Sequence, residues 1–400
     1  MSSQSKAWLK THSTPAMLKA LRFVAAVAQS YEYWIPYNLY ADGRAWAPRE
    51  VTLDITYICN LKCEMCPQAI DFEKKPASNL LKQYKSRKEL TTAQIFTLID
   101  NCADFGVKVF TITGGEPFLR KDMMSIIEHV KAKGLECNLL TNGMLIKPEM
   151  CTRLVELGVE KITISVDGPE HVHNVIRKHP QSFQKLTETV KTIQAEKQRL
   201  NKNLPYLAFS NTISSSNAAH MSELMDVAGK YGVNVNFGYL YYVSDEMEAK
   251  TAKILKIEQV KGEDQNMPVA LKQIDPVLIG QQIAKVREKE HEHGVKANFN
   301  PDITPEQVKK RYEDDYEAYV DKCFYAWHHA RVNPYGDVYA CGPISLSMGN
   351  IQDEPLSSVW NNVKFRQFRT LLRKERIFPK CTKCCALNNK AWQYLPVLRG

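Results

Sequence analysis

From residue 50 onward, short apolar runs rich in β-branched residues alternate with longer stretches whose apolar positions recur every three to four residues. VTLDIT (51–56), VKVFTIT (107–113), LECNLLT (135–141), VEKITISV (159–166), YLAFSNTI (206–213) and VNVNFGYL (233–240) read as strands. Stretches near 91–104, from about 121, and at 147–157, 182–198 and 217–230 read as helices. Strands that are each followed by helical material predict parallel β/α units with right-handed crossovers rather than a meander. Periodicity leaves a partial β/α barrel and an open doubly wound sheet both standing. The expectation adopted is an α/β fold built on a partial (β/α)6 barrel of parallel strands, over residues 49–242.

The flanks follow other patterns. Residues 1–48 hold a stripe at helical spacing (Met17, Leu18, Leu21, Val24, Ala25, Ala28), which predicts a helical extension packed on the body of the protein. Residues 243–320 are rich in lysine, glutamate and glutamine and interrupted at Pro268, Pro276, Pro301 and Pro305, the pattern of a helical connector that covers a site. Residues 321–400 are loop-rich and carry five cysteines, too dense for an ordinary small core.

At 44% apolar and 24% charged the chain has the balance of a globular enzyme, and disorder is excluded for most of it. With 53 basic against 44 acidic side chains the net charge is +9, spread out rather than gathered in an arm, so no nucleic-acid partner is expected. No run reaches the ~20 apolar residues of a membrane-spanning helix. The polar N-terminus, without a cleavage-site pattern, predicts a cytoplasmic location.

The 11 cysteines change the picture more than composition does. Their odd number in a large chain argues against a disulfide framework, and their clustering at two places argues for metal. Cys59, Cys63 and Cys66 stand as C-N-L-K-C-E-M-C directly after the first strand. Three soft thiolates at this spacing wrap one face of an iron–sulfur cube, whereas structural zinc wants a local fourth ligand, which the sequence lacks. The fourth iron is then open.

Downstream, T-G-G-E-P (113–117) follows the second strand, L-L-T-N-G (139–143) ends the third and S-V-D-G (165–168) the fourth. Gly114 and Gly115 let backbone approach a ligand closely, and Glu116, before Pro117, either orders the loop or accepts a bond from an ammonium. Asn142 and Asp167 precede glycines and read equally well as turn formers. His171 and His173 lie two apart and do not share a helix face, which favours surface or capping roles over metal ligation. Asp54 and Tyr57 face a substrate or pack inside the barrel. Cys102, Cys137 and Cys151 fall on core positions.

On these motifs the chain resembles the radical S-adenosylmethionine (radical SAM) superfamily over residues 51 to about 240. The resemblance implies an open cluster iron that chelates the amino and carboxylate groups of SAM, and reductive cleavage to methionine and a 5′-deoxyadenosyl radical. It implies a SAM pocket lined by Met65, Gly114, Gly115, Glu116, Pro117, Asn142, Ser165 and Asp167, with Arg177 on the SAM carboxylate. Met65 stands where members often carry an aromatic residue, and its flexible side chain still packs on adenine.

The second set comprises Cys323, G-D-V-Y-A-C ending at Cys341, and C-T-K-C-C (381–385). Its spacing reads as a hairpin turn at Asn333–Asp337 with a thiolate at each end and two more from C-x-x-C, suited to a second cube or to a zinc ribbon. By resemblance to the SPASM and Twitch auxiliary-cluster domains, one [4Fe–4S] cluster held by Cys323, Cys341, Cys381 and Cys384 is expected in 321–400. Cys385 is then a substitute ligand, a spare thiol or a hydrogen-atom donor. The two clusters bring about −3, leaving about +6, which favours an anionic or phosphorylated substrate or equally reflects a solvated lysine-rich surface over 243–320.

The expected function is a radical SAM enzyme that oxidises or epimerises a small polar, carbohydrate-like substrate, because few residues precede the first strand. A maturase acting on a ribosomally made peptide is the alternative, and a non-catalytic metal or electron-transfer protein the rival of another class. A flavodoxin- or ferredoxin-type reductant is implied.

Overall fold

The computed structural model describes residues 31–66, 86–241, 243–257, 273–311, 322–344 and 346–387. The stripe from Met17 to Ala28 and the break at Pro268 lie outside them. Strand β1 (Glu50–Asp54) leads into the cysteine loop, then α1 (Thr92–Phe105), β2 (Val109–Thr113), α2 (Met123–Ala132), β3 (Glu136–Thr141) and α3 (Pro148–Leu157) follow. Next come β4 (Lys161–Ser165), α4 (Glu170–Ile176), α5 (Ser182–Arg199), β5 (Tyr206–Ile213), α6 (Met221–Tyr231) and β6 (Asn234–Tyr239). The connector holds α7 (Asp245–Leu255), α8 (Pro276–His293), β7 (Ala297–Asn300) and α9 (Pro305–Arg311). The C-terminal part holds α10 (Tyr325–His328), β8 (His329–Val332), β9 (Asp337–Tyr339), β10 (Ser347–Asn350), α11 (Leu356–Trp360) and α12 (Val363–Glu375).

The strand order is β10-β9-β8-β1-β2-β3-β4-β5-β6-β7, with β1 to β6 sequential and parallel. A doubly wound sheet reverses its order at a switch point, whereas sequential order with same-handed crossovers puts all helices on one side. The partial barrel is therefore the arrangement present. Along each strand alternate residues serve opposite faces. Val51 and Leu53, Phe110 and Ile112, Ile162 and Ile164, and Val235 and Phe237 are buried under the helices. Thr52, Thr111, Thr163, Ser165, Ser210 and Asn236 occupy the other parity and line the concave side. Each fully buried large side chain on the helix side contributes roughly 1.5–3 kcal/mol.

The helices begin and end where local chemistry dictates. Thr91 and Gln94 form a reciprocal capping box at the start of α1, and Gly106 closes it at φ +95°.

The reading of 243–320 as wholly helical is corrected by β7, which extends the sheet beside β6. With only 4 residues, ANFN gives too little alternation to register as a strand. The C-terminal hairpin joins the barrel sheet, because β8 pairs in parallel with β1. The connector touches the second cysteine region: Lys380, fully buried beside Cys381, pairs with Glu248 of α7 at 2.5 Å. Arg311 of α9 donates to the Lys383 carbonyl.

The residues before β1 lie against the C-terminal helices. Arg373 of α12 donates to the carbonyls of Tyr37, Tyr40 and Ala41 at 2.8–3.0 Å, satisfying the open end of the helical segment 31–39. Asn361 both accepts from and donates to the Ala45 backbone, at 3.0 and 2.9 Å.

Candidate functional site: a three-cysteine loop at the mouth of the barrel

The loop after β1 is pinned at its start by Glu89, which accepts from the Thr56 hydroxyl at 2.8 Å and the Tyr57 amide at 3.2 Å. Tyr57 is buried edge-on against Tyr335, with centroids 5.9 Å apart. Cys63 is buried and Cys59 and Cys66 half-buried, in a small apolar set with Leu61, Met65, Val172, Ile176 and Leu240. Met65 thus stands beside the cysteines.

The glycines of T-G-G-E-P do make a close approach, but to this loop. A Cβ on Gly114 would lie 2.3 Å from the Thr56 carbonyl oxygen, and one on Gly115 would lie 2.1 Å from that of Ile58. Gly114 also sits at φ +137°, open to glycine alone. The Gly115 and Glu116 amides donate to those same carbonyls at 2.7 and 2.8 Å. The motif is a strap laid across the cysteine loop.

Glu116 is fully buried and orders that strap. Its carboxylate accepts from the Thr141 hydroxyl at 2.7 Å, the Asn142 amide at 2.8 Å and the Phe118 amide at 3.1 Å. Burial raises its pKa against these bonds. Pro117 is buried and opens the short turn that follows. Asn142 donates from Nδ2 to Asn60 of the cysteine loop at 2.8 Å and accepts from the Met144 amide at 3.0 Å. It is a turn former and a contact of the loop at once.

Asp167 and Arg177 form a pair, Nε to Oδ2 2.5 Å, with the Asp167 side chain wholly buried. Arg177 Nη1 also donates to Cys63 Sγ at 3.5 Å. Burial lowers the Arg177 pKa, and the charge of Asp167 and the neighbouring Cys63 more than offset it. His173 is buried, and Nδ1 accepts from the Asp167 amide at 3.2 Å. Burial and then the Arg177 charge push its pKa well down, which keeps that nitrogen an acceptor. His171 is exposed and meets His220 edge-on at 5.6 Å. Ser165 faces the concave side opposite Ser210.

The donor set fits iron–sulfur chemistry. Burial, with the nearby Cys63, Glu116 and Cys66 adding to it against the Leu61 amide, pushes the Cys59 thiol up to about 12. Such thiols ionise when a cationic metal group compensates them. Tetrahedral zinc, at Zn–S near 2.3 Å, would draw sulfurs to about 3.8 Å of each other. Among the described residues no three cysteine sulfurs lie within 4.8 Å of one another.

The second set is gathered by the predicted hairpin. The Asn333 amide donates to the Asp337 carbonyl at 3.0 Å, Gly336 turns at φ +87°, and β8 and β9 pair antiparallel. Burial and then Cys323 push the Cys341 thiol up to about 12, and Cys381 rises through burial, Cys341 and Cys323. Cys384 rises through its hydrogen bond to Cys385, then burial, Cys381 and Cys323. Four thiols therefore share one neighbourhood, with Cys385 exposed beside them. Cys102, Cys137 and Cys151 are buried in the main core.

Sequence reasoning did not find Arg331. It grips Asp54 at the mouth end of β1 with two bonds of 2.6 and 2.7 Å. Neither residue lies in a motif, so only the strand pairing could reveal the contact.

Comparison with known proteins matches this geometry. Residues 53–207 match the Radical SAM superfamily and residues 323–385 match SPASM, an iron–sulfur cluster-binding domain. The chain belongs to the radical SAM superfamily and carries a C-terminal SPASM-type domain. It is a radical SAM enzyme whose cofactors are SAM, a SAM-binding [4Fe–4S] cluster and an auxiliary cluster. It is 25% identical over 341 residues to the AdoMet-dependent heme synthase of Methanosarcina barkeri, covering 84% of this chain and 88% of that protein. It is 25% identical over 349 residues to the PqqA peptide cyclase of Xanthomonas campestris pv. campestris, covering 84% and 80%. In fold it is similar to Streptococcus suis SuiB bound to its precursor peptide SuiA, with TM-score 0.58, 12% identity and coverage of 88% and 71%. Among the described residues no helix is long and apolar enough to cross a membrane.

Proposed function

We propose that this radical SAM enzyme modifies a peptide. When bound, the cluster would supply the electron for reductive cleavage of SAM. Cys59, Cys63 and Cys66 hold that cluster, and Cys323, Cys341, Cys381 and Cys384 hold the auxiliary one. Met65, Asn142, Ser165 and the backbone of Gly114 to Pro117 border SAM, with Glu116 and Asp167 fixing the walls. The working units are the barrel (49–242), its covering connector (243–320), the cluster domain (321–400) and the N-terminal segment (1–48). A flavodoxin- or ferredoxin-type donor supplies electrons.

The observation that carries the peptide reading is a neutral row across the concave wall. Ser165, Ser210, Asn236 and Asn298 stand in register on four adjacent strands, and Asn298 Nδ2 donates to Asn236 Oδ1 at 3.2 Å. Amides and hydroxyls both donate and accept, as the main chain of a peptide requires. A haem-type macrocycle brings carboxylates that call for cations; the row itself carries none, the Arg331 guanidinium on this face is paired with Asp54, and Lys161 of the same face lies at the opposite end of β4 from Ser165. The peptide cyclase relatives support the same choice and weigh against the carbohydrate-like substrate expected from the sequence.

The test is anaerobic incubation of the reconstituted enzyme with SAM, reductant and the peptide fraction of a cell extract, read by mass spectrometry. A peptide that loses two hydrogens is expected, one as a hydrogen atom to 5′-deoxyadenosine and one as a proton whose electron would pass to the auxiliary cluster. Turnover of an iron porphyrin bearing propionates, with no peptide changed, overturns the reading.

A further inference from the structure

The resemblance assigns Arg177 to the carboxylate of SAM, yet its guanidinium lies against a cysteine of the loop. Nη1 donates to Cys63 Sγ at 3.5 Å, while Nε is held by Asp167 Oδ2 at 2.5 Å. The backbone is fixed as well: the Arg177 amide donates to the His173 carbonyl at 2.9 Å, and Glu64 of the cysteine loop donates to the Ile176 carbonyl at 3.0 Å. His173, buried, accepts from the Asp167 amide and fixes the backbone that carries the carboxylate. Loop, helix end and carboxylate thus aim one N–H at one sulfur.

We propose that Arg177 is a positioning residue for the cluster, an N–H donor to the Cys63 thiolate that raises the reduction potential and makes the electron for SAM cleavage easier to load. A hydrogen bond to a cluster sulfur withdraws electron density and favours the more negative, reduced form. Asp167 balances the guanidinium charge, so the directed N–H bond supplies the effect rather than an uncompensated cation. The inference rests on the assignment of Cys63 as a cluster ligand.

The test is an EPR-monitored redox titration of the SAM-free holoenzyme, following the signal that changes when SAM is added to a parallel sample. Arg177→Met is expected to shift its midpoint to more negative potential, and Arg177→Lys, which keeps a donor but not the fork, to shift it less in the same direction. An unchanged midpoint in Arg177→Met together with weakened SAM binding overturns the inference and returns Arg177 to the SAM carboxylate. Should the variants fail to load iron, wild-type protein labelled with 15N in its arginine guanidinium groups serves. A nitrogen hyperfine coupling in the reduced SAM-free signal is expected, and its absence overturns the inference. If wild-type protein shows no SAM-responsive signal at all, the ligand assignment itself fails, an outcome distinct from either.

Discussion

Arg331 of β8 clasps Asp54 of β1 with two hydrogen bonds, 2.6 and 2.7 Å, across 277 residues of sequence. The pair closes the seam where the cysteine-rich hairpin joins the barrel sheet, directly before the loop that carries Cys59, Cys63 and Cys66. Beside it, the Thr52 hydroxyl and His329 Nε2 lie 2.8 Å apart in the same strand pair. The two cysteine regions are thus joined within one continuous sheet.

Removing one partner strands a charge. Asp54 is 3% exposed, so Arg331→Met leaves its carboxylate unpaired in the sheet. A loss of roughly 3 kcal/mol is expected, the low end for a broken buried pair because Arg331 is partly solvated. Urea unfolding of the holoenzyme measures it, and Asp54→Asn combined with Arg331→Met is expected to recover part of the loss.

The glycine strap makes a sharper prediction about metal. Gly115→Ala forces a Cβ into the Ile58 carbonyl and displaces the cysteine loop while leaving the C-terminal set alone. Iron after reconstitution is expected to fall from about eight to about four per chain, with cluster absorption reduced in proportion. Retention of about eight would mean that the strap does not hold the loop.

Acid sensitivity follows from a half-buried histidine. Burial, helped by the Arg49 charge, lowers the His328 pKa from 6.5 to about 4. The unfolded chain then takes up this proton first. His328 costs nothing above pH 6.5, and stability is lost as pH falls from there toward 4. At pH 5.5 the loss is about 1.4 kcal/mol. His328→Phe, set between the rings of Tyr33 and Tyr325, is expected to remove that part of the slope in unfolding measured at pH 7.5 and 5.5.

What the sequence disclosed depended on range. The strands from Val51 to Tyr239 were legible because buried β-branched positions repeat locally, and the hairpin at Gly336 because its turn residues are adjacent. Strand β7 was missed because ANFN offers only Ala297 and Phe299 as a buried pair. The pairing of β8 with β1 is non-local, and no local pattern encodes a partner so distant. At the site the residue types were legible and their partners were not: Gly114 and Gly115 approach carbonyls of the loop, and Glu116 is consumed by Thr141, Asn142 and Phe118. His173 lies buried behind Asp167, where spacing alone suggested surface or cap.

Cys385 separates two outcomes on the substrate. It is exposed and hydrogen-bonded to Cys384. If it donates a hydrogen atom, Cys385→Ala abolishes an epimerised product while SAM cleavage continues. If the reaction is a net oxidation, as the peptide reading holds, product and 5′-deoxyadenosine both persist near wild-type levels, which is the result expected from coupled mass spectrometry and chromatography.

The most direct test of the account is production of 5′-deoxyadenosine by the reduced, reconstituted enzyme with SAM, compared with a variant in which Cys59, Cys63 and Cys66 are alanine. The account predicts product from the wild type and none from the variant, while the variant keeps about four irons on its C-terminal cysteines. No 5′-deoxyadenosine from fully loaded wild-type protein, or undiminished product from the variant, would contradict it.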